Sequence, residues 1–153
     1  LYNNHLTVDG ELGRAKYAYN DGCMLLAAVS LYRETGLEEY LKDARQLAEA
    51  ADGYYFKPKN GAYILSAAAG ADPWFAAWLS SGFMALSAYD STAEAYVEHM
   101  ESAAREGIKA RDEQGFVYPG WRDGVGDTGE LLHQCGTARL LLELAAWRNA
   151  QIQ

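Results

Sequence analysis

Tyr17, Tyr19, Asn20 and Asp21 crowd into five consecutive positions, and the apolar run from Cys23 to Tyr32 follows at once. Two phenol rings, an amide and a carboxylate at the mouth of a helix this apolar have two uses. Asn20 or Asp21 can act as N-cap, the position these residue types favour, or the helix end can look into a pocket. A second aromatic pair, Trp74 and Phe75, opens another apolar run, in which Trp78 lies deeper and reads as core. Tyr118 and Trp121 sit in a glycine-rich stretch further on. His133 stands beside Gln134 at the start of the last apolar run. It reads as a satisfied structural histidine or, alternatively, as an acid/base group working near neutral pH. His5 and His99 read as a hairpin residue and an exposed helix residue. The adjacent carboxylates Glu38 and Glu39 begin an amphipathic helix, where acids complement the helix dipole. No metal-ligand cluster, phosphate-binding glycine loop or nucleophile motif is visible. No cofactor or metal is therefore expected, and oxidoreductase or phosphoryl-transfer chemistry has no support.

Capping signals delimit the elements that must position these residues. Asp72-Pro73 places an N-cap before a proline at the first helical position, where a missing N–H costs nothing. Thr35 with Glu38, and Ser91 with Glu94, have capping-box spacing, and Asp127 with Glu130 has the same shape. Five helices are predicted, over residues 20–34, 37–51, 73–88, 91–111 and 129–149. Helix 37–51 carries Tyr40, Leu41, Ala44, Leu47, Ala48 and Ala51 on one stripe, and helix 91–111 repeats this with Ala93, Tyr96, Val97, Met100, Ala104 and Ile108. The other three are apolar nearly all round and must be buried all round. The order therefore alternates between buried and half-exposed helices, which describes an inner and an outer layer.

The segments 31–51 and 88–108 share a pattern, and the starts of the inner helices recur after about 55 residues, as expected of stacked helical hairpins. Only about two and a half hairpins are present, so an open arc would leave a flank of helix 20–34 or 129–149 uncovered. The chain reads as a single segment, 1–153, of a larger ring. Asp9-Gly10 between short alternating runs predicts a small β-hairpin before the first helix. The long connections around 52–72 and 112–129 are rich in glycine and aromatics, and loops of that length are usually functional.

Composition narrows the partners. The 153 residues carry a formal net charge of −8 and no basic stripe, which disfavours nucleic acid. No membrane-length apolar run or signal peptide is evident. Because the first residue is Leu1, the expectation is a processed, truncated or fragmentary chain. Cys23 and Cys135 lie in apolar runs and are expected as buried free thiols.

The stretch LYNNHLTVDGELGRAKYAYNDG, running on through LLAAVSLYRETGLEEYL, resembles glycoside hydrolase family 76, which contains endo-α-1,6-mannanases. PWFAAWLSSGFMAL, EQGFVYPGW and LLHQCGTARLLLELAA resemble that family's later segments. The resemblance implies an all-α fold, an (α/α) barrel of six hairpins, with this chain as its C-terminal portion. It implies an oligosaccharide or polysaccharide partner of α-mannan type, and a secreted or cell-envelope parent protein. Tyr17, Tyr19, Asn20, Asp21, Trp74, Phe75, Tyr118 and Trp121 would then line a glycan cleft, with Trp121 as an open stacking platform. Asp21 stands where the family pattern has Gln. The family's catalysis rests on two consecutive aspartates, and this chain has no Asp-Asp pair, so no catalytic residue is assigned. The missing part of the barrel, or self-association, would complete the ring. A non-catalytic glycan-binding or helical-repeat module, and a sugar epimerase using His133 on a related barrel, are the alternatives.

Overall fold

The computed structural model describes residues 1–66, 72–121 and 126–152. After a short hairpin, β1 (His5–Leu6) and β2 (Leu12–Gly13), come α1 (Ala18–Thr35) and α2 (Glu38–Tyr55). A second hairpin follows, β3 (Phe56–Lys59) and β4 (Ala62–Leu65), and then α3 (Pro73–Ser87) and α4 (Ala93–Gly107). A single 3-10 turn (Pro119–Trp121) precedes α5 (Leu131–Ile152). All five predicted helices are present, with ends displaced by a few residues.

The layers follow from apolar pattern. Helix α3 packs between α1 and α5, forming an inner row, while α2 and α4 lie behind as an outer row. The outer helices bury one stripe each, Leu41, Ala44, Ala48 and Ala51 from α2 and Ala93, Val97, Met100 and Ala104 from α4. Close approach within the inner row depends on glycine. A Cβ on Gly22 of α1 would meet the Trp78 carbonyl at 2.5 Å, and one on Gly136 of α5 would meet Trp74 Cβ at 2.4 Å. Both clashes involve backbone or the root of a side chain, so neither neighbour can turn aside.

Burial corrects one expectation. Of the inner helices, only α3 has an inner neighbour on both sides. Helix α1 exposes Cys23, Met24 and Leu31, and α5 exposes Leu131, Leu132, Cys135 and Leu142. Both cysteines are free but exposed, not buried, because each sits on an uncovered flank.

The caps are partly as expected. Asp72 accepts the Trp74 N–H at 3.1 Å, with Pro73 at the first helical position. Gly36, at φ 69°, ends α1 in the left-handed conformation, and its N–H returns to the Tyr32 carbonyl. Thr35 is not the N-cap of α2, which is Leu37; its hydroxyl donates to the Leu31 carbonyl and accepts the Leu37 N–H at 3.3 Å, one residue short of the helix. Ser91 yields to Asp90, whose carboxylate accepts both the N–H and the hydroxyl of Thr92. Asp127 accepts the Gly129 N–H in a turn ahead of α5. Neither Asn20 nor Asp21 caps α1; the N-cap is Tyr17, without a side-chain bond, and both polar residues lie in the first turn.

The hairpin at Asp9-Gly10 is present, pairing His5 with Gly13 and Leu6 with Leu12. The β3–β4 hairpin was not anticipated. Its turn residues Asn60 (φ 52°) and Gly61 (φ 80°) both have positive φ, as a two-residue turn between right-twisted strands requires.

Candidate functional site: an aromatic mouth at the inner helix N-termini

Each outer helix must return the chain to the start of the next inner helix. The β3–β4 hairpin makes that return from α2 to α3, and residues 108–130 make it from α4 to α5. The N-termini of α1, α3 and α5 therefore share one face with both long connections. The opposite face has only the short joins 36–37 and 88–92.

On this face the first turns of α1 and α3 meet. The Tyr19 ring centroid lies 4.9 Å from that of Phe75, and 6.5 Å from that of Trp74 with the planes only 18° apart. Tyr17 meets Phe75 edge-on at 5.5 Å. Such offset and edge contacts fix ring orientations, and all four rings stay partly exposed. The amide of Asn4, from the segment leading into β1, ties the polar groups together. Its Oδ1 accepts the Tyr19 hydroxyl at 3.0 Å and the Asn20 amide at 3.3 Å. Nothing local in the sequence singled out Asn4.

Asp21 lies beneath, fully buried. One carboxylate oxygen accepts the Tyr2 backbone N–H and the other accepts the Tyr55 hydroxyl, each at 2.8 Å. Burial above all, then the bond to Asp21 and its charge, pushes the Tyr55 hydroxyl far above its ordinary range and keeps it a donor. Asp21 thus joins the N-terminal segment, α1 and the end of α2.

Tyr118 and Trp121 belong to the α4–α5 connection. Trp121 is not an open platform: it is 8% exposed, with its ring against Gly107, where a Cβ would come within 2.2 Å. Its indole N–H donates to the Thr137 hydroxyl at 3.1 Å, and its backbone sits at φ 54°, a conformation costly for a bulky residue. Tyr118 is partly buried, and its N–H donates to the Ala110 carbonyl. Gln134, noted only as a neighbour of His133, organises this connection. Its amide donates to the carbonyls of Val117 and Thr128 and accepts the Val117 N–H. The two aromatic groups are linked through α5, where Gly136 abuts Trp74 and the next residue, Thr137, holds Trp121.

His133 is buried, with Nδ1 3.0 Å from the Asp72 carboxylate and Nε2 2.8 Å from Glu130. Both ring nitrogens are occupied, and the ring binds the first turn of α5 to the cap of α3. The arrangement matches the structural reading and leaves no nitrogen facing a ligand. Glu38 and Glu39 lie in the first turn of an outer helix, as expected, and Glu38 accepts the Tyr32 hydroxyl. Among the described residues, no His/Cys/Asp/Glu group could hold a metal ion, and no helix is long and apolar enough to cross a membrane.

The sequence profile of Glycosyl hydrolase family 76 matches residues 2–144. The fold resembles a family 76 glycoside hydrolase (mannosidase) from Bacteroides thetaiotaomicron VPI-5482, with a TM-score of 0.79 and 27% identity over 93% of this chain. It also resembles a family 76 glycoside hydrolase from a bovine Bacteroides thetaiotaomicron strain, with a TM-score of 0.80 and 26% identity over 97% of this chain. The chain spans 40% and 34% of those two structures' lengths. No curated protein matches. The inner and outer rows described above form part of an (α/α) barrel. With its profile match running from the first hairpin into the last helix, the chain belongs to glycosyl hydrolase family 76.

Proposed function

We propose that this chain forms one wall of the glycan cleft of an enzyme acting on α-1,6-mannan or a related α-mannoside. The observation that carries the reading is the convergence of Tyr17, Tyr19, Trp74 and Phe75, with the Asn20 amide, at two adjacent inner-helix starts. A pyranose ring has apolar C–H faces and a hydroxylated edge. Aromatic faces with an amide beside them match both parts of that surface.

In this reading Asp21 holds the wall in place and Trp121 supports it from behind, while Tyr118 lines its edge. Retaining hydrolysis needs two carboxyl groups about 5–5.5 Å apart, and the adjacent-aspartate pair is absent from these 153 residues. The cleaving pair is then supplied by chain that covers the bare flanks of α1 and α5. Support for this comes from the apolar character of those flanks and from the greater length of the two similar structures.

Calorimetric titration with α-1,6-linked mannohexaose tests the wall. Binding is expected for the 153-residue chain and is expected to weaken at least tenfold in Trp74→Ala. Equal affinity of the two proteins, or no binding to either, would remove the proposal.

A further inference from the structure

A second concavity lies on the same face, nearer the outer row. It has a volume of about 700 Å³ and opens between the β3–β4 hairpin, the C-terminal end of α4 and the 3-10 turn. Its apolar lining includes Ile64, Leu65 and Trp121, and its polar lining includes Lys59, Asn60, Glu106 and Lys109. That volume is in the range of small-molecule sites.

The charges discriminate between ligand classes. Glu106 and Lys109 neutralise each other in an ion pair, Lys59 adds one positive charge at the exposed hairpin tip, and the carbonyl end of α4 counters it and opposes an anion. The lining keeps donors and acceptors of both kinds beside apolar side chains. That combination suits a neutral polyhydroxylated ring better than a phosphate or carboxylate.

We propose that this cavity is a second saccharide-binding groove, taking a neutral pyranose from the same glycan that the aromatic mouth holds. The groove rests on the glycan reading above and extends it. Its occupant is argued from three features: the mixed polar lining, the shared face, and the Thr137–Gly136 step of α5 that joins Trp121 to Trp74.

Nitrogen-15 spectra of the chain titrated with α-1,6-linked mannohexaose test the groove against the double variant Lys59→Ala, Asn60→Gly. Both positions are exposed at the hairpin tip, and glycine accepts the positive φ of residue 60. Shifts are expected at Ile64, Glu106 and the Trp121 indole N–H, separately from those at Tyr19 and Trp74. The double variant should weaken the groove response at least tenfold and leave the mouth response intact. Trp121 shifts that survive the double variant would be transmitted through α5, and would overturn the groove. Shifts at the mouth alone would also overturn it while sparing the proposed wall. Shifts at the groove alone would sink the wall instead, and silence at both would end both readings.

Discussion

Asp21 and Asn20 are neighbours in sequence with opposite duties. Asp21 is a buried carboxylate with one donor on each oxygen, so removing a donor leaves a charged atom unsolvated. Tyr55→Phe preserves the ring and deletes only the hydroxyl. It should lower unfolding free energy by about 1–3 kcal/mol, measured by urea denaturation, and an unchanged midpoint would contradict the described network. Asn20, partly exposed and bonded at 3.3 Å, contributes little to the fold. Asn20→Ala should therefore weaken mannohexaose binding while the melting temperature stays close to that of the parent; a fall in melting temperature alone would make Asn20 purely structural. The placing of Asp21 was not legible in sequence, because its partners Tyr2 and Tyr55 lie 19 and 34 residues away. Asp72 was legible, since its capping partner is two residues on and the following proline marks the spot.

Local competition decides the ends of the elements. The boxes at Thr35 and Ser91 have correct spacing, yet Thr35 bridges the Leu31 carbonyl and the Leu37 N–H without entering α2, and Asp90 is the acceptor ahead of α4. Asn60-Gly61 is a strong hairpin signal, obscured by Pro58 within the run that became β3. Glycine in the inner helices marks contact more than flexibility. Alanine is favoured over glycine inside a helix by about 1 kcal/mol, but overpacking against backbone costs about 1–3 kcal/mol. With Cβ clashes of 2.5 Å or less, the second effect should win. Gly22→Ala and Gly136→Ala are each expected to destabilise the chain in the same urea assay. The connection 108–130 is held differently. Asp112 accepts the Thr128 hydroxyl and the N–H groups of Gln114 and Phe116, and the Thr128 bond leads in drawing its carboxyl below the ordinary 3.8. A depressed value means that this contribution is fully present above pH 3.8 and is lost as pH falls through the lowered value. Carbon-13 titration of the Asp112 carboxyl should give a midpoint below 3.8, and a midpoint at or above it would separate Asp112 from this turn.

At the scale of the molecule, the alternation of inner and outer helices was readable from periodicity, because amphipathic and wholly apolar helices differ in every turn, while all-round burial holds for α3 and not for α1 or α5. The extent of the ring was also foreshadowed: helices apolar on all sides were too few to cover one another. The uncovered flanks have a direct chemical signature. Cys23 and Cys135 should both react with a water-soluble disulfide reagent without denaturant, giving two thiols per chain. Slow reaction of either, released by urea, would show that its flank is covered in solution.

The distribution of connections has a consequence for how such a scaffold can diversify. The joins opposite the mouth are short and lie directly on helix ends, so a change in their length must shift a helix. Those on the mouth side are long, and they bury Phe56, Val117 and Trp121 in the core while leaving Lys59, Asn60 and Gly61 exposed at a hairpin tip. The tip of the β3–β4 hairpin can be lengthened or replaced while α1, α3 and α5 keep their spacing, since its exposed residues 59–61 lie beyond the packed Phe56, Tyr63 and Leu65. The barrel is thus a chassis whose mouth has replaceable fingertips on fixed roots, and ligand preference can drift at the tips without renegotiating the core.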